Sequence, residues 1–316
     1  MSNPDPMLEM LLKATVDSGA SDLHLTVGRP ATARRDGVLV SFENVPVLTD
    51  EEFDRMVYSL LDERKVEELR RDRQVDFSFG LAGVGRFRAN AFRQRGNLAL
   101  ALRVVPFRVR TLEELGAPAA CTTLLNKPYG IVLVVGPTGS GKSTTLAAMI
   151  DRINDSKPVH ILTIEDPVEY LHHHKVAMVN QREVGTDVES FTDGLRSALR
   201  EDPDVVLLGE MRDLDSIQIS LSLAETGHLV FATLHTNDAA QALDRIIDVF
   251  PGERRDQIQI MLAGALQGVI SQRLLPKKES AGRVPALEIM ISSPTIKDIL
   301  GEGRTEELLP ALQEGD

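Results

Sequence analysis

The first third of the chain mixes apolar positions at helical spacing with runs in which apolar and polar residues alternate. Strict alternation indicates a strand with one buried face, whereas spacings of three and four indicate an amphipathic helix. Thr49 and Glu52 form a Thr-x-x-Glu sequence that marks a helix start. The predicted elements are helices over 7–18, from 49 and over 63–71, a strand over 22–27, a hairpin over 31–40 turning at Asp36-Gly37, and strands over 75–79, 85–92 and 97–105.

This mixture of elements predicts a smaller α+β domain over residues 1–107. A linker is predicted over 108–117, in which Leu112–Leu115 forms one helical turn.

From residue 118 to residue 316 the pattern changes to apolar strands that alternate with helices. Such alternation is typical of a mostly parallel sheet wrapped by helices, so an α/β domain is predicted there. Ligands of open α/β sheets bind beyond the carboxyl ends of the strands, where four polar positions should therefore meet. The strands and the residues that follow them are 131–135 before Gly136, 160–164 before Glu165, 205–208 before Glu210 and 229–234 before His235.

A glycine-rich loop follows the first of these strands and has the form G-x-x-x-x-G-K-S, the phosphate-binding P-loop. The glycines let backbone N–H groups point inward, and the following helix adds partial positive charge at its N-terminus. Lys142 is predicted to reach the β- and γ-phosphates of a nucleotide, and Ser143 to bind Mg²⁺. The predicted nucleotide-binding residues are Gly136, Pro137, Thr138, Gly139, Ser140, Gly141, Lys142, Ser143 and Thr144.

Two carboxylates, Glu165 and Glu210, are predicted to bracket the γ-phosphate. Either can hold Mg²⁺, directly or through water, or orient the attacking water, and spacing does not distinguish the two roles. Of two histidines that flank a strand, His235 lies at the carboxyl end and is favoured as a γ-phosphate contact. His228, at the start of that strand, is favoured as a structural or intersubunit residue.

Three other features allow less specific interpretations. Arginines of the first domain form either a solvated strand face or arginine fingers toward a nucleotide site. The run His172–His174 is interpreted as a surface loop, because three adjacent side chains cannot converge on one metal ion. Cys121, the single cysteine, is interpreted as structural and excludes a disulfide framework. The arginines are Arg86 and Arg88, predicted to share one face, Arg93 and Arg95, also predicted to share one, and Arg103.

Charge is unevenly distributed along the chain. Residues 1–110 hold 17 Lys and Arg against 16 Asp and Glu, so the rest of the chain carries all of the excess in the net charge of −12. A nucleic-acid motor would need a basic channel, and three tyrosines with no tryptophan offer few stacking surfaces. No signal peptide or long apolar run is evident, and the single cysteine fits a reducing cytosol.

Ordered motifs along nearly the whole chain resemble those of the type II/IV secretion and pilus motor ATPases. Gly136–Thr144 resembles the Walker A motif, Thr163–Tyr170 the Asp box, Leu199–Asp213 the Walker B region and Thr226–Thr236 the His box. Ser21–Leu25 is similar to the N-terminal signature of the family. The resemblance implies a RecA-like P-loop ATPase domain preceded by a smaller α+β, PAS-like N-terminal domain.

The resemblance also implies roles that spacing leaves open, and it gives His228 more weight than its position alone does. The implied catalytic residues are Glu165 as water activator, Glu210 as the Walker B acid that serves Mg²⁺, His228 and His235 as the His-box pair, and Arg88 and Arg103 as contacts of the nucleotide phosphates.

Within the family, the chain resembles most the branch that drives pilus retraction, or twitching motility. Extension and secretion relatives generally carry a longer N-terminal region and a four-cysteine zinc insert, which a chain with one cysteine cannot build. Residues 295–302 keep the apolar spacing of a retraction motif, with Lys297 and Gly301 in place of two arginines. Compared with those relatives, the sequence stops at Asp316, short of the expected C-terminal helices.

The function implied by the resemblance is hydrolysis of ATP with Mg²⁺ by a homohexamer that powers pilus retraction. The expected location is cytoplasmic, peripheral at the inner face of the membrane, with membrane contact only through an inner-membrane platform protein. No stable nucleic-acid partner is expected. The alternatives are a pilus-extension or type II secretion ATPase, a hexameric nucleic-acid translocase and a non-hydrolysing regulatory homologue.

Overall fold

The computed structural model describes residues 5–35, 37–43, 45–105, 108–278 and 283–314, without the side chains of 313 and 314. Contacts between residues divide the chain into two compact units, Met1–Phe107 and Arg108–Asp316. Within the described residues, no helix combines the length and the apolar character needed to cross a membrane.

The described residues of the first unit form three helices on one face of a six-stranded antiparallel sheet. The elements are α1 (Pro6–Asp17), β1 (Asp22–Thr26), β2 (Thr32–Arg35), β3 (Val38–Ser41), α2 (Asp50–Tyr58), α3 (Glu63–Asp72), β4 (Gln74–Leu81), β5 (Gly85–Gln94) and β6 (Asn97–Val105). The strand order is β3-β2-β1-β6-β5-β4. Apolar side chains of the helices, such as Leu12 and Phe53, pack with strand residues such as Leu23 and Phe87 in one core.

Local signals in this unit agree with the structure. Thr49 accepts a hydrogen bond from the backbone N–H of Glu52, whose carboxylate accepts one from the backbone N–H of Thr49 at 3.0 Å. Such a cap contributes about 1 kcal/mol to helix stability. The predicted hairpin over 31–40 is confirmed by the pairing of β2 with β3, while Asp36 of its predicted turn lies outside the described residues.

The second unit forms a seven-stranded sheet with helices on both faces. Its elements are α4 (Ala119–Leu125), β7 (Gly130–Val135), α5 (Lys142–Ser156), β8 (His160–Glu165), β9 (Met178–Glu183), α6 (Phe191–Ala198), β10 (Val205–Leu208), α7 (Leu214–Glu225), β11 (Leu229–Leu234), α8 (Ala239–Asp248), α9 (Gly252–Ala265), β12 (Leu266–Pro276), β13 (Arg283–Ile291), α10 (Pro294–Gly301), a 3-10 turn (Thr305–Glu307) and α11 (Leu308–Glu314). The strand order is β13-β12-β7-β11-β10-β8-β9, and only the pairing of β13 with β12 is antiparallel among these described strands.

The α/β prediction for the chain is confirmed, and the four predicted strands are β7, β8, β10 and β11. These strands occupy the middle of the sheet, with β12 and β13 on one side and β9 on the other. The predicted helical turn near Leu112–Leu115 is present, because the Leu115 N–H donates to the carbonyl of Thr111 at 3.1 Å.

A β-bulge lies in β12 between Leu266 and Gly268. Leu266 pairs with Ile131 of β7, but Gly268 pairs with the next residue, Val132. Gln267 is therefore the additional residue of the bulge. The extra residue inverts which side chains face which side of the sheet. Leu266 and Val269 therefore both lie in the core that contains α7, α8 and α9, whereas Ile270 lies in the core that contains α5.

In α10, which covers most of the stretch resembling the retraction motif, the apolar spacing is used for packing. Ile296, Ile299 and Leu300 are buried. They join the core on the α9 side of the sheet.

Candidate active site

The P-loop has the strand–loop–helix form that the sequence predicts. The buried strand β7 ends at Val135, and α5 begins at Lys142 with Gly141 as its N-cap. Three loop glycines adopt positive φ, with +146° at Gly136, +76° at Gly139 and +90° at Gly141. L-residues with side chains rarely adopt these angles, so the loop conformation requires glycine there.

Lys142 lies inside its own loop. Its Nζ donates hydrogen bonds to the carbonyl of Gly136 at 2.7 Å and to that of Pro137 at 3.2 Å. Burial lowers the pKa of Lys142, and the charge of Glu210 acts in the opposite direction. The ammonium group is thus held at the N-terminus of α5, where anions are favoured.

The hydroxyl-bearing residues that follow lie at the start of α5. Ser143 is exposed and lines the cavity beside the loop. Thr144 shares a hydrogen bond with the hydroxyl of Tyr170, with 2.9 Å between the oxygens. Tyr170 belongs to the segment after β8, so this contact ties that segment to the P-loop helix.

Glu165 is a buried carboxylate at the end of β8. Its Oε1 accepts from the Thr163 hydroxyl at 2.7 Å and from Gln181 Nε2 at 3.1 Å, and its Oε2 accepts from the Glu169 N–H at 3.2 Å. Burial nevertheless dominates and raises the pKa of Glu165 above its ordinary value. A carboxylate with a raised pKa is suited to taking up a proton at neutral pH.

Glu210, after β10, has the opposite electrostatic environment. Partial burial alone would raise the pKa of Glu210, but a hydrogen bond from Arg212 and the nearby charges of His235 and Arg212 outweigh it and lower that pKa. Arg212 Nη2 lies 2.7 Å from Glu210 Oε2, and His235 Nε2 lies 3.4 Å from Glu210 Oε1. Glu210 is therefore held ionised.

One cavity of about 590 Å³ brings most of the predicted residues together. It is lined by Thr138–Thr144, Glu165, Glu210 and His235. Gly136, Pro137 and His228 are not among the described residues that line it. Gly136 and Pro137 instead supply the carbonyls that hold Lys142.

The two histidines that flank β11 lie at opposite ends of the strand. His235 Nδ1 lies 3.5 Å from the Thr138 hydroxyl of the P-loop. The His228 ring instead contacts the carbonyl of Leu223, with 3.0 Å between Nδ1 and the oxygen. Within one subunit, this geometry favours the interpretation of His228 as a structural or intersubunit residue. The part in catalysis that the resemblance implies for His228 stays a prediction.

The surface-loop interpretation of His172–His174 is wrong for His172. Only 2 % of its side chain is exposed, its Nδ1 lies 3.7 Å from Asp151 Oδ1 of α5, and it lines the cavity. Burial lowers the pKa of His172, more than the attraction of Asp151 raises it. Within the described residues, no group of three His, Cys, Asp or Glu side chains is placed to hold a metal ion.

The first unit places Arg88 and Arg103 directly opposite each other on β5 and β6. Arg103 also pairs with Asp22 of β1, with 2.9 Å between Nε and Oδ1. Burial alone would raise the pKa of Asp22, but Ser21 and Arg103 outweigh it and lower that pKa. The charge of Arg103 is thus already paired with a carboxylate inside this unit.

The predicted shared face of Arg93 and Arg95 is wrong. Strand β5 ends at Gln94, and Arg95 lies in the following turn with φ +50°. Alternation of side chains applies only within a strand.

Several cavity residues were not predicted from the sequence as part of the site. Arg212 could have been found from its place two residues after Glu210, within the stretch that resembles the Walker B region. The resemblance to the Asp box covers Glu169 and Tyr170, but the sequence gives no signal for His172, because the fold of this segment back onto α5 depends on long-range contacts. The unpredicted cavity residues include Glu169, Tyr170, His172, Phe191, Arg212, Leu274 and Arg283.

The sequence profile of the type II/IV secretion system protein family matches residues 5–301. The chain belongs to this family. It is 48% identical over 305 residues to the "Type IV pilus retractation ATPase PilT" of Pseudomonas aeruginosa strain PAO1, covering 96% of this chain and 88% of that one. It is 47% identical over 272 residues to a "Twitching motility protein" of Neisseria gonorrhoeae, covering 86% of this chain and 73% of that one.

A solved structure agrees with these relatives. The crystal structure of the pilus retraction motor PilT with bound ADP matches with a TM-score of 0.91 at 48% identity, covering 97% of this chain and 89% of that one. The resemblance of this type II/IV family member to pilus-retraction ATPases is confirmed, as is the predicted fold class.

Proposed function

We propose that this protein is an ATPase that hydrolyses ATP with Mg²⁺ and, as a homohexamer, powers the retraction of type IV pili. The observation that carries the proposal is the convergence of the P-loop, Glu165, Glu210 and His235 on one cavity. The names of the two relatives support the retraction branch.

The two carboxylates of the cavity have environments that push their pKa values apart. Glu165 has a raised pKa because it is buried, whereas Glu210 has a lowered pKa because Arg212 and His235 outweigh its burial. Pairs with such opposite shifts divide acid–base and electrostatic roles. Glu165 is therefore the base that takes the proton of the attacking water, and Glu210 is the permanently charged partner of the metal.

The remaining residues position the phosphates. The backbone N–H groups of 138–143 and the Lys142 ammonium hold the β- and γ-phosphates. The Ser143 hydroxyl and the ionised Glu210 are hard oxygen ligands of the kind that Mg²⁺ prefers. Mg²⁺ bound there would neutralise charge on the phosphates. His235, beside Thr138 and Glu210, contacts the γ-phosphate.

Other residues act in the assembled ring. Arg88 and Arg103 contact the nucleotide phosphates, a role that their juxtaposition on β5 and β6 supports. His228 acts with His235 as the second His-box residue. Cycles of binding and hydrolysis turn or pull on an inner-membrane platform protein from the cytoplasmic side. The motor contacts the membrane only through this platform protein. It binds no nucleic acid stably.

A strain that lacks this protein tests the retraction role. We expect the strain to keep surface pili, lose twitching motility and regain it from a plasmid copy of the gene. Loss of the pili themselves would favour the extension or secretion alternative. For the purified protein, ATPase activity should rise as rings form with increasing concentration, and strong stimulation by single-stranded DNA would favour a translocase.

We expect Glu210→Gln to bind ATP but to hydrolyse it about 10²–10³-fold more slowly, because loss of the carboxylate weakens the hold on the Mg²⁺ that neutralises charge on the phosphates, a contribution of several kcal/mol. Steady-state turnover and binding of a fluorescent ATP analogue measure the two effects. The matched control is Glu225→Gln, which alters an exposed carboxylate at the end of α7 and should leave turnover unchanged. Full turnover by Glu210→Gln would remove Glu210 from the mechanism.

A further inference from the structure

Gln272 is a buried polar residue on the strand next to the P-loop strand. Only 2 % of it is exposed. It follows Ser271, which pairs with Val135, the last residue of β7. Gln272 therefore lies beside the point at which the chain leaves the sheet and enters the P-loop.

The side-chain amide of Gln272 joins the two ends of the phosphate-binding segment. Its Nε2 donates to the carbonyl of Ser140 at 2.7 Å, and its Oε1 accepts from the hydroxyl of Thr145 at 2.7 Å. Ser140 belongs to the loop, and Thr145 belongs to the first turn of α5. Only one orientation of the amide satisfies both bonds, because a carbonyl oxygen accepts hydrogen bonds and cannot donate them.

Two glycines of the P-loop motif make room for this residue. A Cβ atom on Gly136 would lie 2.3 Å from the Gln272 carbonyl oxygen, and one on Gly141 would lie 2.7 Å from Gln272 Nε2. Separations below about 3.0 Å force atoms apart. The loop can therefore pack against Gln272 only if positions 136 and 141 are glycine. Part of the glycine pattern is thus required by contact with β12.

Residues of β12 and β13 next to Gln272 hold the segment that follows His235. The Ser271 hydroxyl donates to the carbonyl of Asn237 at 3.0 Å. Glu288 of β13, which pairs with Ser271, accepts from the backbone N–H of Ala239 at 3.0 Å. The strand pair therefore fixes both the phosphate loop and the segment after the γ-phosphate contact.

We propose that Gln272 is a positioning residue that holds the P-loop in its nucleotide-binding conformation through Ser140 and Thr145. The inference rests on the proposed function, since it assumes that the loop binds ATP and ADP. A loop that is already arranged for its ligand pays less ordering entropy on binding, so loss of these bonds weakens affinity. Gln272 does not touch the reacting atoms, and the chemical step depends on it less.

The test compares Gln272→Met, which removes both side-chain bonds at similar volume, with Gln272→Glu. The carboxylate of the second variant still accepts from Thr145 but cannot donate to the Ser140 carbonyl. We expect both to raise the Kd for MgADP and the KM for ATP about tenfold, as loss of a buried hydrogen bond would. The turnover number should fall much less, and circular dichroism should show folded protein.

Gln259→Met is the control, because it changes the same residue type on α9, away from the cavity and the P-loop. Its Kd for MgADP should equal that of the parent. Thr145→Val should raise the Kd as well, and combination with Gln272→Met should be less than additive because the two residues share one bond.

The outcomes separate the inference from the proposed function. A Kd within twofold of the parent for folded Gln272→Glu or Gln272→Met overturns the inference, even if the melting temperature falls. If Gln272→Met does not fold, Gln272→Glu and Thr145→Val decide by the same criterion. Failure of the parent protein to bind MgADP would overturn the proposed function itself.

Discussion

Replacement of Glu165 by glutamine is expected to lower the turnover of ATP by about 10²–10⁴-fold, the usual contribution of a general base. The amide keeps the shape of the side chain and an acceptor for Thr163 and Gln181, but it cannot take a proton from water. Turnover at saturating ATP measures the loss. The control is Glu189→Gln, which changes an exposed carboxylate outside the cavity and should have no effect.

The raised pKa of Glu165 adds two pH-dependent expectations. In the parent, the acid limb of the pH–rate profile should lie above the ordinary glutamate pKa, because the base must be deprotonated to act. A raised pKa in the folded state also means that stability from the neutral form is present at low pH and is lost as pH rises through that pKa. The melting temperature of Glu165→Gln at pH 8 should therefore be no lower than that of the parent. An inactive variant that is strongly destabilised at pH 8 would contradict this assignment.

We expect Lys142→Met to lower kcat/KM for ATP by about 10²–10³-fold, the range found when one donor that stabilises developing negative charge is removed. The apolar stem still fits, but the ammonium that lies at the N-terminus of α5 is lost. Two carbonyls that it holds, those of Gly136 and Pro137, also lose their donor. Equilibrium binding of MgATP and initial rates separate loss of affinity from loss of turnover.

Lys157→Met is the control for Lys142. Lys157 caps the other end of α5, donates to the carbonyl of Leu125 at 2.6 Å, and has a pKa lowered by burial as Lys142 does. Its loss should reduce stability and leave kcat/KM unchanged. Equal losses of activity in the two variants would show that the effect comes from damage to the helix.

The central strands and the site residues that follow them could be predicted because local sequence determines them. An apolar run before Glu165 or His235 shows both that a strand is present and where it ends. Strand β9 is harder to find, because it lies at the edge of the sheet and carries polar residues that contact solvent. Asn180 is exposed and Gln181 is partly exposed. Strand β12 continues α9 without a loop, so no turn residue marks its start.

Residues that act through long-range contacts could not be predicted in the same way. His172 seemed part of a surface run, yet it is buried because the segment after β8 folds onto α5. That fold depends on bonds such as the one from Asn154 Nδ2 to the carbonyl of His173, at 2.7 Å. Gln272 likewise gains its partners only when β12 lies beside β7, 127 residues after Thr145 in sequence.

The bulge at Gln267 shifts the register of β12 against β7 by one residue for the rest of the strand. Without the extra residue, a regular strand starting from Leu266 would bring Ser271, not Gln272, beside Gly136. A serine hydroxyl is too short to span from Ser140 to Thr145. One irregular residue at the far end of β12 thus selects which side chain meets the phosphate loop, some five residues downstream.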